Sequence, residues 1–268
     1  MTSVQQQLSF KKIFAFWAPL SATWLMMALE GPFLGAVIAH LADPKFNLAA
    51  YGAATAIAMI IESPILMILS AAITMVENKY TFLKMRNFTY ALNAIITAMM
   101  LIVLIPPVFD ALAFGLMDLP AEIGRLMYSG LACLITWPAA IGFRRFYQGL
   151  LIKNNLTRRV AYGTVVRLLT MAAVAAFGAM FLKVDGVIIG AAGLSAGVLF
   201  ESIATRFMVN STIKKYMREP DIIPVEKLSY FQIAKYYYPL ALTSVIGMSV
   251  APITTFFMVQ GRLPVESL

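Results

Sequence analysis

The chain has 268 residues, of which 60% are hydrophobic and 13% charged, with a mean hydropathy of +0.80; this balance excludes a water-exposed globular domain and makes lipid the solvent. The formal net charge of +8 does not point to nucleic acid, because Lys and Arg sit in short loops between apolar runs and form no continuous tract. The single cysteine, Cys133, lies inside an apolar run, which excludes a disulfide framework or a multi-cysteine metal site within the chain.

Long apolar runs recur without the alternating, turn-punctuated pattern of a membrane barrel, so the spans are helices. The first runs from Ile13 to His40. It follows Lys11 and Lys12, is too long for a signal-peptide core and has no small-residue cleavage site, so it is read as a retained span. Within it, Glu30-Gly31-Pro32, with Gly35 one turn later, predicts a bend at a carboxylate about 25 Å from the Ile13 end. Such a carboxylate suits uptake of H+ or Na+ beside freed carbonyls; alternatively Glu30 lies near the outer interface and meets water. His40, at the end of the span, is read as a solvated interfacial histidine. The second span, Leu48 to Val76, carries Glu62-Ser63-Pro64. Helical spacing puts Glu62 on one face with Tyr51, Thr55 and Ala58, a polar stripe near mid-membrane, and an ionisable group at that depth is a functional candidate by default.

Spans three to six are placed at Phe88 to Phe114, Ile123 to Ile152, Val160 to Leu182 and Val187 to Val209, and a seventh at Phe231 to Gln260. At the helical rise, Arg144 and Arg145 fall about 11 Å from the Ile152 end of span four and Arg167 about 10 Å into span five. Glu201 and Arg206 fall roughly 12 and 5 Å from the end of span six. Three consecutive helices thus present four cations and one carboxylate in one layer. One reading is an anion-attracting vestibule in which partly desolvated guanidinium groups grip phosphate or carboxylate bidentately. The other is architectural: Glu201 neutralises Arg167 or Arg206, and the remaining arginines reach lipid phosphates. One carboxylate cannot neutralise four cations, which keeps the first reading open. Trp17, Trp24, Trp137 and Tyr236-Tyr237-Tyr238 are read as belt or packing aromatics, and Gly193-x-x-x-Gly197 as a close helix contact.

With the N-terminus in the cytoplasm, the inside segments hold twelve Lys and Arg, from Lys11 to Lys227, and the outside segments four: Lys45, Arg125, Lys183 and Arg262. The positive-inside rule therefore predicts a cytoplasmic N-terminus in a cell inner membrane. The polar stretch after span six divides the chain into a six-helix lobe over 1–209, a cytoplasmic linker over 210–229, and the first helix of a second lobe over 230–268. Shifted by 220 residues, the start of the chain meets its end: Pro19, Pro32 and Pro44 pair with Pro239, Pro252 and Pro264, and nine of 41 positions are identical. Parallel repeats of six spans are expected, and the chain then holds only the beginning of its second copy, so a missing second lobe is expected in the full-length protein.

Catalytic constellations are missing: the sequence has no His-Glu-x-x-His, paired acidic metal motif, nucleophile elbow or Walker loop. An enzyme is not expected, and neither is a cofactor beyond a coupling H+ or Na+.

Several short motifs resemble the progressive ankylosis family. They are Phe16-Trp17-Ala18-Pro19-Leu20, Ala50-Tyr51-Gly52, Ser63-Pro64, Gln148-Gly149-Leu150-Leu151-Ile152-Lys153 and Tyr237-Tyr238-Pro239-Leu240-Ala241-Leu242. That family belongs to the multidrug/oligosaccharidyl-lipid/polysaccharide exporter superfamily. The resemblance implies an all-α membrane fold of about seven transmembrane helices, one six-helix MATE-like lobe plus the first helix of a second, and a central cavity that opens alternately to either side. It further implies export of small multivalent anions such as pyrophosphate, nucleotides or citrate.

The function expected from these readings is a secondary transporter, an exporter or antiporter of small anionic solutes. Glu30 and Glu62 are its ion or proton coupling candidates. Arg144, Arg145, Arg167, Arg206, Glu201, Tyr51 and Thr55 are its substrate candidates. Two alternatives stand beside it: a flippase for lipid-linked anionic precursors, whose pyrophosphate the arginines would receive, and a non-transporting truncated membrane protein. The partners expected are membrane lipid and a small anionic solute, with no nucleic acid.

Overall fold

A computed structural model describes residues 9–218 and 228–259, the last without the side chains of 251, 252 and 255–259. Among the described residues every regular element is helical. The first expected span is two helices, α1 (Phe10–Ala28) and α2 (Glu30–Ala39), separated at Leu29. Pro32 has no N–H to continue the ladder, so the break falls where the Glu-Gly-Pro sequence places it. The second span is α3 (Pro44–Glu62), a 3-10 turn at Ser63–Ile65 containing Pro64, and α4 (Ile68–Met75).

The next helix, α5 (Lys79–Val103), opens on a capping box: Thr81 N–H donates to Asn78 Oδ1 at 3.0 Å and Asn78 N–H donates to Thr81 Oγ1 at 3.0 Å. The sequence predicts an unbroken span to Phe114, but α5 stops at Val103. Pro106 and Pro107 hold Ile105 in an extended conformation (ψ 124°), and the chain restarts as α6 (Pro106–Asp110) and a π turn at Ala111–Leu116. The fourth span is also interrupted, into α7 (Ala121–Cys133) and α8 (Trp137–Lys153), with Pro138 at the start of the second piece.

Two long uninterrupted helices follow, α9 (Thr157–Phe181) and α10 (Gly186–Met208). Next come α11 (Asn210–Arg218), which occupies the first part of the expected linker, and α12 (Tyr230–Val259). In both α1 and α12 the threonine four residues after the matched proline bonds its carbonyl, Thr23 Oγ1 to Pro19 O at 3.0 Å and Thr243 Oγ1 to Pro239 O at 2.9 Å. The two differ further on: α1 breaks near Pro32, whereas α12 runs through Pro252. Pro264 lies outside the described residues.

Six of these stretches are long and apolar enough to cross a membrane: Phe10–Ala39, Pro44–Met75, Lys79–Val103, Ala121–Lys153, Thr157–Phe181 and Gly186–Met208. Their outer faces leave Leu25, Phe177, Phe181 and Phe207 more than half exposed, a surface suited to lipid. The chain is a multi-pass membrane protein. Its middle is α10, packed against α9, α8, α7, α3 and α2, while α8 is wedged among α4, α5 and α10. Asn47 ties the bundle at one end, its Oδ1 accepting from Val187 N–H at the start of α10 at 2.9 Å. At the opposite end the cation-bearing segments converge. Lys84 lies 4.5 Å from the ring centre of Tyr230, Asn154 Nδ2 donates to Tyr216 OH at 3.3 Å, and Arg159 Nη1 donates to Ser211 Oγ at 3.2 Å.

The apolar interior forms two clusters at different levels. One gathers Ala49 to Ile65, Ile123 to Ile141, Met171 and Val187 to Val198; the other gathers Ile68 to Val76, Phe82, Phe146 to Leu151, Val160, Val209 and Tyr216. Between them on α8, α9 and α10 lies a polar layer, described below. The second cluster depends on close helix approach. A Cβ added at Gly149 on α8 would stand 2.8 Å from both Leu69 O and the Cβ of Ala72 on α4. One of those atoms is backbone, so Gly149→Ala must push the helices apart and is expected to destabilise the lobe by about 1–3 kcal/mol. A thermal midpoint in detergent equal to that of the parent protein would refute this contact.

Candidate functional site

The polar layer opens onto a cavity of about 300 Å³. Three of the four interrupted spans reach it at their breaks. Glu30 is the first residue of α2, Glu62 the last of α3, and Trp137 the first of α8. The cavity is also lined by Tyr51, Thr55 and Met59 of α3, Arg144 and Arg145 of α8, and Arg167 of α9. On the polar stripe of α3 the third member is Met59; Ala58 is fully buried in the core. Thr55 spends its hydroxyl proton on its own helix, donating to Tyr51 O at 2.8 Å, which leaves oxygen lone pairs for the cavity.

Behind the cavity wall runs a chain of alternating charge. The guanidinium of Arg167 donates to Glu30 through Nη2, and its Nη1 lies 3.7 Å from Glu201 Oε2. That same Glu201 oxygen accepts from Arg144 Nη1 at 2.7 Å. Its other oxygen accepts from Gln148 Nε2 at 3.1 Å and Thr164 Oγ1 at 3.4 Å. Glu201 is fully buried and Arg144 is 1% exposed, so only this mutual pairing makes their burial tolerable. Close approach sets the geometry: a Cβ at Gly197 would stand 3.0 Å from Arg167 O, and this contact brings Glu201, one turn further along α10, onto α9.

The depth count placed Glu30 well away from the arginines, and the structure corrects it. Lys12 and Phe16 of α1 border the same surface cavity as Asn155 to Tyr162, so α1 enters level with the start of α9. The break at Leu29 and the reach of two long side chains then close the remaining gap to Arg167. The layer is therefore charge-balanced: three arginines, Arg144, Arg145 and Arg167, stand with three carboxylates, Glu30, Glu62 and Glu201. Arg206 does not join it. Its guanidinium sits 5.6 Å from the ring centre of Tyr147, and Glu201 pairs with Arg144 and Arg167.

Two charged groups in the cavity wall have no hydrogen-bond partner among the described residues. Glu62 is 5% exposed with Oε2 unsatisfied, and half-buried Arg145 has Nε unsatisfied. No hydrogen bond joins them directly. Glu30 Oε1 and Trp137 Nε1, on residues that also line the cavity, are unsatisfied too, but Glu30 bonds Arg167 through its other oxygen.

Sequence reasoning passed over Trp24 and Trp137, both of which border the cavity. Pro138 was the available signal for Trp137, since it predicts the helix start that places this ring there. It also passed over Gln148 and Thr164, whose role appears only once α8, α9 and α10 are in contact. His40 is exposed at the end of α2, its Nδ1 2.7 Å from Ala36 O. Among the described residues no group of three His, Cys, Asp or Glu side chains could hold a metal ion.

No family model and no curated protein sequence matches the chain. The likeness to progressive ankylosis proteins accordingly rests on the short motifs alone. Among solved structures the chain is similar to a MOP superfamily transporter from Pyrococcus furiosus, described as having a binding pocket of reverse polarity that suggests a different function. The two are 17% identical, with a TM-score of 0.69 over 95% of this chain and 57% of the other. The described helices therefore have the MATE-like membrane fold of that transporter, in a chain that spans 57% of its length.

Proposed function

We propose that the protein is a secondary transporter that moves small anionic solutes across a cell inner membrane by alternating access, coupled to H+ or Na+. The observation that carries this reading is the pair of partnerless opposite charges, Arg145 and Glu62, facing one cavity where three membrane spans are interrupted. Unpaired charge within a membrane protein is costly and marks ligand and ion pathways. Broken helices near the midplane hold the ligands of many secondary transporters.

In this reading Arg145 receives the anion and Glu62 the cation. The chain Glu30–Arg167–Glu201–Arg144 is the neutral frame that fixes their positions, with Glu30 as a second ion-binding candidate. Because the layer is charge-balanced, a cation on Glu62 leaves arginine in excess and strengthens anion binding. The two ligands therefore favour each other's binding, which supports co-transport as a reading beside the exchange expected from the sequence. A cavity of about 300 Å³ is at the small end of ligand pockets and favours a small solute over a lipid-linked precursor. The crowding of Lys and Arg at one end of the bundle supports a cytoplasmic N-terminus. The length of the matched transporter supports a second lobe across the cavity.

The test is anion flux into vesicles containing the full-length protein, with an imposed H+ or Na+ gradient. Glu62→Gln is expected to abolish the gradient dependence while leaving the thermal midpoint within a few degrees of the parent. Gradient-driven flux that survives this substitution would sink the assignment of Glu62.

A further inference from the structure

We propose that the cytoplasm-assigned end of the α1–α9 contact is a binding site for the phosphate of an anionic lipid headgroup. A surface cavity of about 500 Å³ lies there between the first turns of α1 and the loop that enters α9. Three cations line it, Lys12, Arg158 and Arg159, and no carboxylate does. Neither helix can supply one nearby, since the sequence has no Asp or Glu before Glu30 and none from Gln148 to Val184.

Arg159 is held in place, donating through Nη1 to Ser211 Oγ at 3.2 Å and to Met208 O. Lys12 and Arg158 have no partner among the described residues, so both are available to an incoming anion. Arg159, anchored on one side, keeps further donors of its fixed fork for a phosphate oxygen. The rim also decides between a lipid and a soluble phosphate. Phe16 and Tyr162 line the cavity and are exposed, Tyr162 at 61%, as are the adjoining Phe10 and Ile13. Cationic groups beside an exposed apolar face, at the end of a membrane-spanning bundle, match a headgroup with its acyl chains lying along α1 and α9. The site is separate from the central cavity and does not depend on transport.

The experiment places the full chain in nanodiscs and reads the quenching of its tryptophan emission by brominated lipids. Trp17, 59% exposed and next to Phe16, is the reporter. Brominated phosphatidylglycerol is expected to quench more strongly than brominated phosphatidylcholine. The preference should fall about tenfold in Lys12→Gln/Arg158→Gln. It should persist in Lys183→Gln, which removes an exposed cation at the other end of the bundle. Equal quenching by the two lipids in the parent protein overturns the proposal, as does a preference unchanged in the double variant. Loss of the preference on adding millimolar glycerol 3-phosphate identifies a soluble phosphate as the ligand and overturns the lipid assignment.

Discussion

Glu201→Leu is expected to destabilise the lobe by about 3–5 kcal/mol, the cost of leaving a buried charge without its partner. Glu201 accepts hydrogen bonds from three residues on two helices and lies within ion-pair distance of Arg167. Its loss strands Arg144 almost completely out of solvent, while Arg167 keeps Glu30. Glu201→Gln retains an oxygen that accepts from Gln148 and Thr164, so its effect should be smaller. Removing both members of the pair, as in Arg144→Met/Glu201→Leu, should restore much of the lost stability, because an apolar pair of similar volume fits a site whose pairing is worth little net. Thermal unfolding in detergent separates these variants. A parental midpoint for Glu201→Leu would show that the pair is not the organising contact of the layer.

The membrane class and the positions of most spans were legible because lipid leaves a long unbroken signature in the sequence. Proline extended that legibility to the break at Glu30-Gly31-Pro32, where the loss of one backbone donor is a local event. The same rule applied to Ser63-Pro64, Pro106-Pro107 and Trp137-Pro138, but there continuous apolar sequence masked it. Apolar composition says only that a residue lies in lipid or core and is indifferent to whether the helix continues. The helix α11 was obscured for the opposite reason. Its polar residues read as a connection, yet Tyr216 stacks on Phe82 with ring centres 6.0 Å apart, a tertiary contact with no local signal.

Which charges would meet was less legible than which charges mattered. Rarity alone picked out Glu30, Glu62, Arg144, Arg145, Arg167, Glu201 and Arg206, and the structure gathers the first six around one cavity and its wall. Pairing followed from helix breaks and side-chain reach. Depth counting along straight helices therefore missed Glu30 on Arg167 and included Arg206. The charge balance of the layer changed with it, from a cation cluster to three arginines facing three carboxylates. The sequence already placed coupling carboxylates beside an anion site; what changed is that the two sets of groups lie in one layer.

Arg144 and Arg145 are consecutive residues of one helix, and their substitution is expected to have opposite effects on stability. Arg144→Met breaks the pair with Glu201 and should cost about 3–5 kcal/mol. Arg145→Met removes a half-buried cation with no hydrogen-bond partner. It should raise the thermal midpoint, by an amount corresponding to about 1 kcal/mol once the contact of Arg145 with cavity water is allowed for. In the binding assay the order reverses. Arg145→Met forfeits a charge-assisted hydrogen bond worth about 1.5–3 kcal/mol, so anion affinity should fall roughly ten- to hundredfold in the more stable protein. A purely architectural arginine cannot behave this way, because its removal lowers stability first and function only as a consequence. Loss of stability in Arg145→Met with unchanged anion binding would place Arg145 in the scaffold and leave the cavity without its anion-receiving group.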